Sequence, residues 1–200
     1  TPQSLVASVI TSAQLGLETG GPLGRAYLVP FRVKHKDAQG RERWVREAQL
    51  IIGYRGMIDL ARRTGSVATV QAQPVYKNDE FEYEYGLNDR LRHKPAEGER
   101  GPFRCAWCLV RFKDGSYQFT VMHKEEIDRI MRSTQSKGEY GPWKDHYDQQ
   151  ATKTTIRRIF KFLPVSIEDQ MVRAMEIDDA AEAGAPQTPP AVLDFGDDWA

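Results

Sequence analysis

The chain has 200 residues, 40% of them hydrophobic, and its 28 Lys and Arg balance 28 Asp and Glu. That suits a globular domain with a real core and appendages, and no apolar run approaches the roughly 20 residues of a membrane span. The zero net charge is uneven: residues 25–66 carry +6, residues 143–163 carry +3, and the stretch from Glu168 onward carries −8. A basic body with an acidic tail points to a polyanionic partner and to self-screening by the tail.

Residues 4–16, "SLVASVITSAQLG", predict a helix capped by Ser4, with Leu5, Val9, Ser12 and Ala13 on one stripe. "LETGGPLG" ends it with glycines and a proline. "RAYLVPFRVK" and "RERWVREAQLIIGY" predict two strands joined by the turn "HKDAQG", with Pro30 marking the first as an edge or bulged strand. "GMIDLARRTG" is a short helix closed by Gly65.

"SVATVQAQPVY" and "DEFEYEYG" predict a hairpin about Lys77 and Asn78. Its second strand places Phe81, Tyr83 and Tyr85 on one face and Glu80, Glu82 and Glu84 on the other. Those acids fit a solvated face, or salt bridges to a neighbouring protomer. Residues 86–102 are polar with Gly and Pro and predict a long loop. "FRCAWCLVRF" and "SYQFTVM" form another hairpin, and "KEEIDRIMRS" a helix. A longer helix runs from Trp143 to Leu163 and stops at Pro164. "SIEDQMVRAMEID" is a last helix capped by Ser166, and from about Asp179 the composition predicts disorder. Strands grouped before helices indicate an α+β fold with an antiparallel sheet backed by helices.

The two cysteines, Cys105 and Cys108, sit three apart on a predicted strand and so point to opposite faces. With no second pair and with His35, His93, His123 and His146 scattered, they read as buried structural thiols rather than zinc ligands. They make no disulfide framework, which fits a reducing cytoplasm. The first residue is Thr1, and no leader pattern follows it.

Catalytic motifs are sparse. The glycine-rich "GLETGGPLGR" lacks the lysine of a phosphate loop, and no Ser or Cys sits in a nucleophile setting. Asp59, Asp79, Asp114 and Glu125 are better read as helix or turn residues than as nuclease metal ligands. No cofactor is implied.

The segment "ATKTTIRRIFKFLP" is the richest candidate. At about 100° per residue, Lys153, Arg157 and Lys161 fall within about 80° of one another, with Arg158 further round. Ile156, Ile159, Phe160 and Leu163 occupy the other side, and Thr154 and Thr155 add hydroxyls at the cationic edge and beyond. The pattern fits a solvated helix face, a rail for nucleic-acid phosphates, or, less well, a membrane-surface helix. Arg25, Tyr27, Arg32, Lys34, Trp44, Arg46, Tyr54 and Arg55 crowd the first hairpin and its exit. Aromatics among cations suit single-stranded nucleic acid, though cross-strand packing accounts for Tyr27 and Trp44 equally well.

Five segments carry a family resemblance: "AQLGLETGGPLGRAYLVPF", "QLIIGYRGMIDLARRTG", "VYKNDEFEYEYGLNDRLRHKP", "KDGSYQFTVM" and "GPWKDHYDQQATKTTIRRIFKFLPVSIE". In order from Ala13 to Glu168, they resemble the RecT family of phage single-strand annealing proteins, more distantly related to Red beta. The resemblance implies an ATP-independent recombinase that coats single-stranded DNA and anneals it to a complementary strand. It implies a homo-oligomeric ring or helical filament and a Rad52-like annealing core from which the hairpin protrudes. It also implies a phage exonuclease as partner and no catalytic residues. Lys153, Arg157 and Lys161 match the basic helix that lines the inner-strand groove in this family. Arg158 stands beside them and is placed to bridge to a carboxylate instead. Arg25 and Lys34 resemble finger cations that reach the second strand, and Tyr27, Arg32, Tyr54 and Arg55 complete the candidate DNA-binding set.

Relatives carry several dozen more residues ahead of the point matching Thr1, so the resemblance implies an N-terminally shortened chain. Residues 1–177 are expected to form the annealing core and residues 178–200 the tail. The end "PPAVLDFGDDWA" reads as a solubilising disordered tail; it also looks like the acidic tips of bacterial single-stranded-DNA-binding proteins, which suggests competition with DNA or docking on a host protein, and a host single-stranded-DNA-binding protein is a further candidate partner. A passive single-strand-binding protein is the alternative function, and a nuclease the third.

Overall fold

The computed structural model describes residues 1–36, 40–134, 136–163, 169–183 and 187. The fold is α+β with antiparallel sheets, and it divides into two compact units. The first holds Thr1–Leu60 with Asp169–Ala200, the second Ala61–Glu168. Where one sheet was expected there are three small ones, of two, three and two strands.

In the first unit, α1 (Pro2–Gln14) precedes a long hairpin of β1 (Ala26–Lys36) and β2 (Glu42–Ile52), paired in register from Ala26–Ile52 to Lys36–Glu42. Helix α2 (Tyr54–Arg63) follows, and α6 (Asp169–Ala183) packs on β2. The outer edge of β2 is closed by side chains. Ala48 N–H donates to Ser4 Oγ at 2.9 Å, and Ser8 Oγ donates to Ala48 O at 3.0 Å. The Gln187 amide takes both backbone groups of Leu50, at 2.8 and 2.7 Å. Ile52 N–H reaches buried Asp178 Oδ1 at 3.2 Å. These alternate residues point away from β1, so by register Pro30, opposite Ala48, points away from β2. Its missing N–H therefore costs no ladder bond, as an edge-strand proline requires.

This edge corrects the expected face of α1. Thr1, rather than Ser4, caps the helix, its hydroxyl accepting from Ser4 N–H at 3.2 Å. Ser8, Thr11 and Ser12 are buried, whereas Leu5, Val6, Val9 and Ala13 are exposed. Apolar periodicity gave the wrong stripe because the hydroxyl face has backbone groups to satisfy. Helix α6 continues to Ala183, so residues 179–183 are helical where disorder was expected. The expected cap, Ser166, lies outside the described residues, as do 188–200.

The second unit is built on the sheet β3 (Val67–Tyr76), β6 (Phe103–Phe112) and β7 (Tyr117–His123), with β6 central. A ribbon of β4 (Glu80–Glu84) and β5 (Arg90–Lys94) packs Phe81, Tyr83 and Leu91 on one face, against Val75, Trp107, Leu109 and Phe119. The other face, with Ala106 and Met122, meets Ile127 of α3 (Lys124–Ser133), Trp143 of α4 (Pro142–Asp145) and Ala151 of α5 (Tyr147–Phe160). Being covered on both sides explains why β6 reads as a continuous apolar run. It also buries both thiols on opposite faces, and burial pushes Cys105 up to about 11 and Cys108 up to about 12. Thiols so raised are poor nucleophiles at neutral pH.

Two expectations fail here for one reason. The predicted hairpin of β3 with β4 does not form, since β3 pairs with β6, and β4 pairs with a strand inside the expected loop. "RLRHK" does alternate: Leu91 and His93 face in, while Arg90, Arg92 and Lys94 face Glu84, Glu82 and Glu80 across the ribbon. Two of those pairs close as ion pairs, Arg90–Glu84 at 3.0 Å and Lys94–Glu80 at 3.2 Å, so the carboxylate row finds its cations within the chain.

The chain redirects at Asp79, whose side chain is fully buried. Asp79 accepts from Tyr76 N–H (2.9 Å), Ala96 N–H (3.0 Å), and Arg100 Nε and Nη2 (3.0 and 2.6 Å). His93 Nε2 stands 3.1 Å away, and Trp107 Nε1–H donates to His93 Nδ1 at 3.0 Å, so the His93 proton sits on Nε2 and points at Asp79. The Arg100 guanidinium holds the Asp79 carboxyl well below the usual carboxylate range. Asp79→Asn should therefore cost about 3 kcal/mol in denaturant melts, the low end for a broken buried pair because Arg100 is partly exposed. A depressed carboxyl contributes stability that is present above its unfolded value near 4 and is lost as pH falls toward its folded value. Wild type should thus lose stability below about pH 4, and Asp79→Asn should show a flatter acid limb.

Candidate nucleic-acid interface

Three groups of cations were expected to hold an anion. The first surrounds the hairpin base. Gly53 N–H donates to Arg25 O at 2.9 Å, and a Cβ at Gly56 would stand 2.2 Å from the same oxygen. A Cβ at Gly53 would stand 2.3 Å from Gly24 O. The glycines of "IIGYRGM" thus let the "GGPLGR" segment lie directly on the start of α2. Arg25, Tyr27, Tyr54 and Arg55 all lie at or beside this hairpin base. Arg55 Nε lies 3.2 Å from Tyr54 Oη, its guanidinium 5.8 Å from the Tyr54 ring centre, and its Nη1 3.4 Å from Leu23 O. Arg25 Nε is 3.9 Å from Asp59 Oδ2, a loose pair. Tyr27 and Tyr54 are both exposed.

The second group lies at the far end of the hairpin. Register and pleat divide it into faces. One face carries Arg32 opposite Arg46 and Lys34 opposite Trp44, all exposed. The other carries Phe31 opposite Glu47 and Val33 opposite Val45, with Val33 buried. Tyr27, opposite Ile51, belongs to this second face, so it does not share a surface with Arg32 and Lys34. Lys34 Nζ is 2.5 Å from Glu42 Oε2 and 6.0 Å from the Trp44 ring centre. Two members of this group, Trp44 and Arg46, fall outside the set chosen from the sequence. Their signal was the strand period, which places them beside Arg32 and Lys34 on one face.

The third group is on α5, in the second unit. The expected continuous helix from Trp143 is interrupted at His146, whose φ of −139° and ψ of 51° separate α4 from α5. The apolar arc is as expected: Ile156, Ile159, Phe160 and Leu163 are buried. The cationic arc is not open. Arg157 is only 7% exposed, Thr154 and Thr155 are buried, and Thr155 Oγ1 donates back to Ala151 O at 2.9 Å. The helix packs on β3, β6 and β7, so its covered arc is wider than its apolar arc. Lys153 is half-buried, while Lys161, the C-cap residue, is exposed. Arg158 Nη1 meets Glu126 Oε1 at 2.7 Å, the carboxylate bridge its position on the wheel suggested.

The acids considered as metal ligands lie in separate settings. Asp59 pairs with Arg25, and Asp79 is the buried knot. Asp114 accepts from Ser116 N–H and Oγ in a turn, at 2.8 and 2.6 Å, and Glu125 opens α3. Among the described residues no three His, Cys, Asp or Glu side chains gather in a metal-holding group.

The RecT family model matches residues 1–189. The chain belongs to the RecT family. It is 47% identical over 173 residues to Protein RecT of Escherichia coli (strain K12), covering 86% of this chain and 62% of that protein. It is 25% identical over 170 residues to Uncharacterized protein YqaK of Bacillus subtilis (strain 168), covering 84% of this chain and 54% of that one. The chain thus spans between half and two thirds of the length of these relatives.

The close backbone contact at the hairpin base gives a direct test of how the base is held. In Gly56→Ala the new methyl cannot share space with Arg25 O. Thermal melts should show a loss of several degrees, on the order of 1–3 kcal/mol for overpacking. Gly98→Ala, where a Cβ meets nothing within 4 Å, should melt like wild type.

Proposed function

We propose that this chain binds single-stranded DNA and pairs complementary strands without ATP, as part of a homo-oligomeric ring or filament in phage recombination. Membership of the RecT family carries the reading. The placing of Arg25, Tyr27, Tyr54 and Arg55 at a glycine-fitted hairpin base, with Arg32 and Lys34 further along the hairpin, supports it. A Rad52-like annealing core with a protruding hairpin is the arrangement this reading favours. A phage exonuclease that exposes the strands and a host single-stranded-DNA-binding protein are the partners it implies, in the bacterial cytoplasm. No helix among the described residues is long and apolar enough to cross a membrane.

Annealing needs no chemical step, since stacking in the duplex supplies about 1.4 kcal/mol per base-pair step. The protein's part is kinetic: to open hairpins, hold phosphates on one side, and leave base edges free for a second strand. On α5, exposed Lys161 and half-buried Lys153 are the phosphate contacts best placed to act. Arg158, committed to Glu126, contributes least, and Arg157 is buried. Arg25 and Lys34 receive the second strand.

Two complementary oligonucleotides with fluorescent labels, free of ATP and metal, test the reading. Pairing faster than the spontaneous rate is the expected result. Slower pairing would make the chain a passive binder, and metal-dependent cleavage a nuclease. Lys161→Ala should lower the salt slope of single-strand binding by about 0.7, the share of one lost phosphate contact. Arg158→Ala should change it far less.

A further inference from the structure

We infer that the cationic face of the β1–β2 hairpin is a base-stacking site for single-stranded DNA, with Trp44 as the platform and Arg32, Lys34 and Arg46 as its phosphate contacts. The inference rests on the single-strand reading above and adds to it a contact with the bases.

Trp44 is 62% exposed, whereas Trp107 and Trp143 are 8% and 7% exposed in the cores. An indole left in water on a strand contributes little to packing, and by register its nearest neighbours on its own face are Lys34, Arg32, Arg46 and Glu42. Its cross-strand partner is Lys34, whose ammonium lies 6.0 Å from the ring centre. One step along the same face, Arg32 stands directly opposite Arg46. Like charges placed directly across a ladder destabilise it, and among the described residues neither arginine forms an ion pair. Folding gains nothing from that pair, but an anion between the two guanidinium groups would relieve it.

The faces differ in kind. Phe31, Val33 and Val45 line one side, and Val33 is buried. The other side offers an indole beside three cations, and among the described residues its nearby acid is Glu42, spent on Lys34 at 2.5 Å. An ordinary solvated face mixes charges and carries no large aromatic. Cations alone would suit any polyanion. The flat indole selects one whose units carry π faces, and it does so without regard to base identity. Glu42 competes with phosphate for Lys34, so the site is held partly closed until a strand displaces it.

The test uses the full chain and a labelled oligothymidylate, with anisotropy for affinity and tryptophan emission for stacking. Oligothymidylate should quench the wild-type emission. Trp44→Ala should weaken binding about tenfold, the loss of one stacked base, while leaving the salt slope unchanged. Trp44→Phe should keep affinity within about threefold and abolish most of the quench, since a phenyl ring still stacks. Arg32→Ala and Arg46→Ala should each lower the slope by about 0.7, and Glu42→Gln should tighten binding. Because Trp44 is exposed, each of its variants should melt like wild type.

If Trp44→Ala binds the oligonucleotide as wild type does, with the quench intact, the stacking site is wrong and the single-strand reading stands. If instead Trp44→Ala loses a concentration-dependent self-association with DNA affinity unchanged, the face is a protein contact and the inference fails. Failure of the wild-type chain to bind any oligonucleotide would overturn both readings.

Discussion

Among the described residues strand β2 has one hydrogen-bonded neighbour strand, and the backbone groups on its other side must find partners elsewhere. Much of the first unit follows from that constraint. Ser4 and Ser8 of α1 serve Ala48, Gln187 serves Leu50, and Asp178 of α6 serves Ile52. Helix α1 therefore turns its hydroxyls inward and leaves Leu5, Val6 and Val9 outside. The sealing groups act from Arg46, whose carbonyl accepts from the Thr1 amino group at 2.6 Å, to Ile52. Toward the hairpin tip, Trp44 and Arg46 share a face with Arg32 and Lys34, and the side chains of all four are exposed.

The second unit meets the opposite problem, too many apolar groups on one strand. Strand β6 is covered on both faces, which requires a ribbon on one side and helices on the other. The ribbon is turned back by Asp79, whose carboxylate gathers backbone donors from both ends of the excursion together with Arg100 and His93. Trp107, on the central strand, closes that network through His93. A buried carboxylate with so many donors is stable only as a complete set, so the ribbon and the sheet are fixed together.

Where the pattern is set by local chemistry, the sequence was readable. The hairpin "RAYLVPFRVK"/"RERWVREAQLIIGY", the edge proline, the β6–β7 hairpin, helix α3, the opposed thiols and the Phe81–Tyr83–Tyr85 face all stand as the residues implied. What escaped reading depended on distant partners. The hydrophobic stripe of α1 lost to a strand edge some forty residues away. Strand β5 hid in a polar stretch because its outward side chains are cations facing a carboxylate row. Pairing of β3 with β6 rather than β4 is a long-range choice that no local turn signal reports. In the site, the base cluster was legible as a crowd of residues, but its division into two faces needed the register. Arg157 was misplaced because a helical wheel assigns solvent to any polar arc, while burial depends on what packs there.

The basic helix and the basic hairpin thus differ in how much of their charge the fold itself already uses. Arg157 and Arg158 sit in the last turn of α5 and Lys161 caps it, where cations answer the negative end of the helix dipole. Arg158 is further engaged by Glu126. These charges have a structural use, and a phosphate drawn to them meets the end of the helix that repels anions. On the hairpin the balance is reversed. Arg32 faces Arg46 at a cost to the ladder, and Trp44 leaves its ring in water. Residues that cost the isolated fold something are best accounted for by a ligand that offsets the cost. On that physical ground the proposed function assigns more of the binding to the hairpin, with its base cluster, than to the helix whose charge first drew attention in the sequence.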